Sequence, residues 1–181
     1  LLSALAAVLD RKQPPDGDTI LRLIDAAQHA EDTQSEQMRP RDVKGRRGGL
    51  IRLVDDLPTV IVPDLHARAD FLYSIFAAQV GDGLTLSEAL ARGDVQVVCV
   101  GDAFHTERRG AQRWKRALDE YQKGFKKHEA MDAEMRDSFG VIEMVLEAKI
   151  AFPGRFHFLK GNHENIANES GDGNHGFRKY A

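Results

Sequence analysis

Three short apolar segments have the length and composition of buried β-strands. They span residues 59–62, 95–100 and 156–159, and Gly, Pro, Asp or Asn residues stand close to both ends of each. Runs of about four to eight β-branched or aromatic residues between such turn formers are typical of strands. Segments with helical periodicity separate them, so we predict an α/β fold in which the first two of these strands are parallel neighbours joined by a right-handed crossover.

The beginning of the chain has the periodicity of two amphipathic helices. One covers residues 1–12, and the second begins at Asp18 or Thr19, either of which can cap it. The polar residues that follow show no period and predict a loop. We therefore divide the chain into a helical extension with a polar loop, residues 1–48, and a domain over residues 49–181.

Further elements are predicted around the first two strands. Residues 49–54 form a predicted strand, joined to the next by a turn at residues 55–58. A helical face follows His66, and a shorter helix covers residues 86–92. Gly93 directly after it suits the left-handed conformation in which many helices end.

Residues 110–150 carry one apolar stripe at three- and four-residue spacing, which predicts one long amphipathic helix or two helices broken near Gly124 or Gly140. Packing against the sheet explains this stripe more simply than a cover over a functional site or a surface for a partner. His128 falls on the stripe, so we interpret it as a packed helix residue rather than a ligand.

Composition excludes several classes of protein. The chain has 181 residues, of which 42% are hydrophobic and 29% charged, and its formal net charge is −3. This is enough for one sizeable core and gives no general case for nucleic-acid binding. The single cysteine, Cys99, lies in a predicted strand and is interpreted as a buried structural thiol. No apolar run approaches transmembrane length, so we expect no membrane partner and a cytoplasmic location.

Positive charge is concentrated in the polar loop before the domain, at Arg39, Arg41, Lys44, Arg46 and Arg47. No aromatic residue is interleaved for base stacking, and Asp42 interrupts the run. A solvated loop is therefore favoured over a contact with nucleic acid or another anion.

Ligand-type side chains follow each of the three strands. Asp64 and His66 come after the first, Asp102 after the second, and Asn162 and His163 after the third. Open α/β sheets build their sites at the carboxyl ends of strands. Carboxylate, imidazole and amide oxygen together suit a hard or borderline divalent metal.

Three blocks share this position after a strand and are, in order, Asp64-x-His66, Gly101-Asp102 and Gly161-Asn-His-Glu164. Their order and context resemble the calcineurin-like metallophosphoesterases. The flanks of the third block, including Gly176-Phe177 after it, are most similar to the phosphoprotein-phosphatase branch. The resemblance covers residues 49–181. It implies a calcineurin-like phosphoesterase sheet with flanking helices, of which this chain would form the N-terminal half of the β-sandwich.

The resemblance also implies a metal-dependent phosphoesterase that hydrolyses a phosphate ester by attack of a metal-bridging hydroxide. Two divalent ions (Mn, Fe or Zn, with Mn favoured) would neutralise the phosphoryl oxygens and lower the pKa of water toward about 7. Asp102 would bridge the two ions, Asp64 and His66 would bind the first, and Asn162 the second. His163 would be the general acid that protonates the leaving group.

The second block departs from the Gly-Asp-x-x-Asp-Arg-Gly of the phosphoprotein phosphatases. His105 stands where the branch has the Asp that orients the general acid, and Thr106 where it has the Arg that grips phosphate. An imidazole cannot stabilise His163 as an imidazolium by charge. Either Glu107 or Glu164 therefore takes the orienting role, or the acid is weaker.

Arg108 and Arg109 follow this block and are predicted to restore phosphate clamping through bidentate hydrogen bonds. Asp102 and Asn162 lie further apart than in the family, so residues 107–150 form a predicted helical insertion. The substrate stays open among small molecules, nucleotides and phosphoproteins.

The family's remaining histidine ligands lie downstream of the third block. His175 sits in a Gly-rich segment with nothing strand-like before it, so we interpret it as a non-ligand. We expect an incomplete second metal shell and an exposed sheet edge through which the chain could self-associate. The alternative function is a catalytically weak or inactive relative that acts as a binding module through the long helix of residues 110–150.

Overall fold

The computed structural model describes residues 1–164; the expectations for His175 and Gly176-Phe177 lie outside them. The helices of this part are α1 (Leu2–Asp10), α2 (Gly17–Asp32), α3 (Ala69–Ala77), α4 (Leu86–Arg92), α5 (Ala111–Gln122) and α6 (Glu129–Ala151). The strands are β1 (Thr59–Val62), β2 (Gln79–Val80), β3 (Leu84–Thr85), β4 (Gln96–Cys99) and β5 (Phe156–Phe158). The predicted α/β class is confirmed.

A three-stranded parallel sheet organises the fold. Strand β4 lies in the middle, paired with β1 from Thr59 opposite Gln96 and with β5 from Val97 opposite Phe156. The three predicted strands are confirmed, as is the parallel pairing of the first two. Strands β2 and β3 form a short antiparallel pair before α4. Because β1, β4 and β5 run in the same direction, their carboxyl ends meet at one edge of the sheet.

The hydrophobic core lies between one face of this sheet and the helices. Val62, Val97, Cys99 and Phe156 are at most 1% exposed, and they belong to the same cluster as Leu5 of α1. The N-terminal extension therefore packs into the core of the sheet domain. Burial raises the pKa of the Cys99 thiol to about 12, in agreement with its interpretation as a structural residue.

The prediction of a strand over residues 49–54 is wrong. These residues form no strand in the structure, although several of them line a pocket with Val98 of the sheet. The buried side chain of Gln96 accepts a hydrogen bond from Val54 N and donates one to Val54 O, both at 3.0 Å. The side-chain amide of Gln96 thus makes the hydrogen bonds to Val54 that the backbone of a neighbouring strand would otherwise make.

The helical stripe of residues 110–150 is divided near Gly124, one of the two predicted breaks. Gly124 has a φ of 69° between α5 and α6, whereas Gly140 lies inside α6 and packs beside Val8. Helix α6 contacts α1, α2, α3, α5 and β5, so it packs against the rest of the described chain on several sides. The interpretation of His128 as a packed residue is wrong. It precedes α6 with 60% of its side chain exposed and pairs with Asp132 at 2.7 Å.

The basic loop is held by nearby carboxylates. Arg39 pairs with Glu31, Arg41 with Glu36 and Arg46 with Asp42, at 2.6–2.8 Å. These local pairs agree with the favoured interpretation of a solvated loop. Among residues 1–164, every helix is too short or too polar to cross a bilayer.

Candidate metal centre

The candidate site lies where the loops after β1, β4 and β5 meet. The first loop is attached to the second through its backbone, because His66 N donates to Asp102 O at 2.7 Å and Ala67 N to Ala103 O at 2.8 Å. His66, Ala67, Asp102 and His105 all have φ between 42° and 55°. Left-handed conformations cost energy for residues other than glycine, and they persist where the surroundings over-determine them, as at functional sites.

Three of the predicted ligands come together in this arrangement. Asp64, His66 and Asp102 each offer a ligand atom, and these atoms all lie within 4.8 Å of one another. Nε2 of His66 is 3.8 Å from Oδ2 of Asp64 and 3.7 Å from Oε1 of Glu107. Nδ1 of His66 is buried and has no hydrogen-bond partner among the described residues. Nitrogen and carboxylate donors with this spacing and an unsatisfied imidazole fit a divalent metal ion.

Asp102 joins the second loop to the third. Its Oδ1 accepts a hydrogen bond from His163 N at 2.8 Å. A Cβ on Gly161 would overlap that same oxygen, and a Cβ on Gly101 would overlap the backbone of Gly161. The glycine before Asp102 and the glycine before Asn162 are therefore required for the close approach of the two loops.

Glu164 has a structural task in this approach. Its carboxylate accepts from the backbone N–H groups of Gly161, Asp102 and Ala103 at 2.6–2.9 Å. Both oxygens thus clamp the loop after β5 to the loop after β4. These contacts do not include the ring of His163, which we predicted Glu164 could orient.

The ring of His163 is held by His105 instead. Nδ1 of His163 lies 2.9 Å from Nε2 of His105, and the two rings are nearly perpendicular at 87°. The residues are 2% and 1% exposed. Burial, and then repulsion from the imidazoles of His163 and His66, lowers the pKa of His105, which favours its neutral form.

Sequence reasoning does not identify His105 as a site residue. The signal that could have found it is its position in the second block, where the resembled branch has an orienting Asp. An imidazole carries no negative charge, so the residue type argued against that role.

The helical segment supports this second loop. Ser138 Oγ accepts from His105 N at 3.1 Å. Glu134 is fully buried and accepts hydrogen bonds from both N and Oγ1 of Thr106, and it pairs with Arg113 at 2.7 Å. Trp114 donates from Nε1 to Thr106 O at 2.8 Å. No sequence signal distinguished Glu134 from the other charged residues of the helix.

The remaining predicted residues lie around this centre. Asn162 is half-buried at the start of a 3₁₀ turn that also contains His163. Arg108 and Arg109 are exposed in a second 3₁₀ turn, and Arg109 donates to Ala67 O at 3.1 Å. Glu107 lies beside His66, at the metal group. Three of the predicted ligands, Asp64, His66 and Asp102, therefore lie together, Glu107 lies beside His66, and Glu164 binds the backbone of the two loops.

The chain matches no family model, no curated protein and no solved structure.

Proposed function

We propose that this protein is a metal-dependent phosphoesterase of the calcineurin-like type. The observation that carries the proposal is the convergence of Asp64, His66 and Asp102 from two strand ends beside His163 from a third. Asp and Asn often cap turns one at a time. Turn capping gives no reason for ligand-type side chains from three separate strands to meet.

The sheet also supports the proposed fold. Its outer face leaves Ile61 68% exposed, and Leu159, just beyond β5, is 41% exposed. Parallel sheets are normally covered on both faces. A second layer over this face is what the N-terminal half of a phosphoesterase β-sandwich would need. Self-association through an edge strand, β1 or β5, stays a prediction, as does a cytoplasmic location.

Four predicted ligands and Glu107 would bind the metal ions. Asp64 and His66 would hold one ion, Asp102 would bridge to a second at Asn162, and Glu107 offers a further oxygen beside His66. Bound divalent ions neutralise phosphoryl oxygens and lower the pKa of water toward about 7, so that a nucleophile is present at neutral pH. Of the candidate metals, Mn is favoured over Fe and Zn on the oxygen-rich donor set.

His163 would transfer a proton to the leaving oxygen. Its Nδ1 faces His105, so any transfer to a substrate uses Nε2. Arg108 and Arg109 would contact the phosphate, because Arg109 is attached to the loop that carries His66. The substrate is a phosphate ester, and its class among small molecules, nucleotides and phosphoproteins is left to experiment.

The test is turnover of p-nitrophenyl phosphate and its bis ester by the full chain with added Mn²⁺, beside Asp102→Asn. We expect the substitution to abolish turnover and to weaken Mn²⁺ binding measured by calorimetry. Asp119→Asn, at an exposed position of α5, is the matched control and should change neither. Equal turnover by Asp102→Asn and the parent chain would refute the proposal, and the preferred ester would separate monoesterase from diesterase activity.

The end of the α5–α6 hairpin favours one alternative. Leu118, Tyr121 and Phe125 are 38%, 65% and 39% exposed there, close in sequence to Lys123, Lys126 and Lys127. A binding module that uses this end, with weak or no catalysis, is the second candidate function. Mn²⁺ binding without turnover of either ester would favour it.

A further inference from the structure

We propose that His105 is the positioning residue for His163, and that α5 and α6 hold His105 in place. This inference rests on the proposed function, because it assigns a role within the same site. By this inference, the helices of residues 110–150 support the site rather than bind a partner.

The hydrogen bond between the two rings determines which nitrogen of His163 faces the substrate. Nδ1 of His163 and Nε2 of His105 are 2.9 Å apart, so one proton lies between them. Because Nδ1 is engaged by His105, His163 would present Nε2 to the leaving group. Loss of the contact with His105 would leave the ring of His163 without this constraint on its orientation.

The surroundings favour this assignment. Both residues are at least 98% buried, so water competes little for the hydrogen bond between their rings. His105 thus supplies the orientation that a carboxylate would supply, through a different group.

Residues of helices α5 and α6 hold His105 through its backbone and through the neighbouring Thr106. Ser138 binds the backbone of His105, Glu134 binds both donors of Thr106, and Trp114 donates to Thr106 O while its ring meets His105 edge-on at 6.3 Å. His105 has a φ of 42°, a conformation that needs such support. These contacts come from residues well separated in sequence, so loss of the helices would release the ring.

The first experiment compares His105→Phe with His105→Gln. Phenylalanine keeps the ring shape and removes the acceptor, whereas the Oε1 of glutamine can take the place of Nε2. Turnover is measured on phenyl phosphate, whose leaving group needs a proton, and on dinitrophenyl phosphate, whose leaving group does not. We expect His105→Phe to lower turnover of phenyl phosphate by ~100-fold, to change that of dinitrophenyl phosphate by less than ~3-fold, and His105→Gln to recover most of the loss.

The second experiment needs no metal and no substrate. Proton–nitrogen correlation NMR of the metal-free protein reports which ring nitrogen of His163 carries the proton. We expect the proton on Nδ1 in the parent chain and in His105→Gln, and a mixture of tautomers in His105→Phe. Thermal unfolding of the three proteins checks that all of them are folded.

The outcomes separate the two proposals. An equal loss on both esters in His105→Phe, or an unchanged His163 tautomer, would overturn the positioning role. If the parent chain bound Mn²⁺ but hydrolysed neither ester, the proposed function would fail, while the NMR result would still decide whether His105 sets the tautomer of His163.

Discussion

The loops after β1 and β4 carry ligand-type side chains of similar chemistry, but the protein holds them in different ways. In the first loop the Asp64 side chain is 54% exposed, and His66 and Ala67 are attached by backbone hydrogen bonds to the second loop. In the second loop His105 and Thr106 are each 1% exposed. Their backbone N–H groups and the hydroxyl of Thr106 are paired with residues of α6, and Thr106 O accepts from Trp114 of α5.

The difference shows that the second loop, with its buried and paired polar groups, stabilises the site. A buried polar group is costly without a partner, so each partner of the second loop is needed for stability. The exposed side chain of the first loop has water as an alternative partner. Substitutions should therefore act on stability in the second loop and on metal binding alone in the first.

Glu134→Ala tests this comparison most strongly. It removes the acceptor for both donors of Thr106 and leaves Arg113 without its buried partner. We expect the free energy of unfolding in urea to fall by about 3–5 kcal/mol. Asp137→Ala is the control, because Asp137 pairs with the same Arg113 but is 24% exposed, and it should cost about 1 kcal/mol or less. Equal costs would mean that burial of the carboxylate is not what matters.

His157→Leu tests the opposite case, a buried polar side chain without hydrogen-bond partners among the described residues. His157 is 2% exposed, and neither ring nitrogen has a hydrogen-bond partner among the described residues. Burial, and then the charge of Lys149, lowers its pKa from 6.5 to about 4. Between these values the unfolded chain takes up a proton that the folded chain does not, so the folded state loses stability as the pH falls.

We expect the leucine variant to be more stable than the parent chain by about 1 kcal/mol at pH 7, and this advantage to grow by about 3 kcal/mol toward pH 4. Urea unfolding at several pH values measures both numbers. The control His29→Leu, at an exposed position of α2, should change stability by less than ~0.5 kcal/mol throughout. An advantage independent of pH would contradict the assignment.

Gly101→Ala tests the close approach of the second loop to the third. Gly101 has a φ of 107°, and an added Cβ would overlap the backbone of Gly161. We expect a loss of about 2–4 kcal/mol in the free energy of unfolding, from backbone strain and overpacking together. Gly124→Ala has a comparable positive φ of 69° but nothing within 4 Å, and should cost only about 1 kcal/mol. Similar losses in the two variants would show that the loops can separate without cost.

Asp64→Ala has the smallest expected effect on stability and tests the first loop. In the metal-free protein we expect a change of less than ~0.5 kcal/mol, since the side chain is largely exposed. Mn²⁺ affinity measured by calorimetry should nevertheless fall by at least ~10-fold. Asp102→Ala should weaken Mn²⁺ binding and also destabilise the metal-free protein by about 1–3 kcal/mol, because His163 N loses its acceptor. A large loss of stability in Asp64→Ala would remove the distinction between the loops.

Sequence reasoning failed where a side-chain contact or a break in a helix replaced the regular pattern. Residues 49–54 have the pattern of a strand, but the amide of Gln96 binds Val54 in place of a strand neighbour. His128 lies on the apolar stripe, but the helix is interrupted just before it, which leaves the side chain in solvent. Periodicity reports local amphipathicity and cannot report such replacements.

The sequence by itself determined the three strands, the parallel order of the first two, and the ligand-type residues at the carboxyl ends of all three. Short β-branched runs between turn formers identify strands, and parallel order brings their ends to one edge. Only the tertiary structure decided how those residues are held. The partners of His163, Thr106 and Asp102 come from loops and helices far away along the chain, and burial rather than local pattern makes each contact necessary.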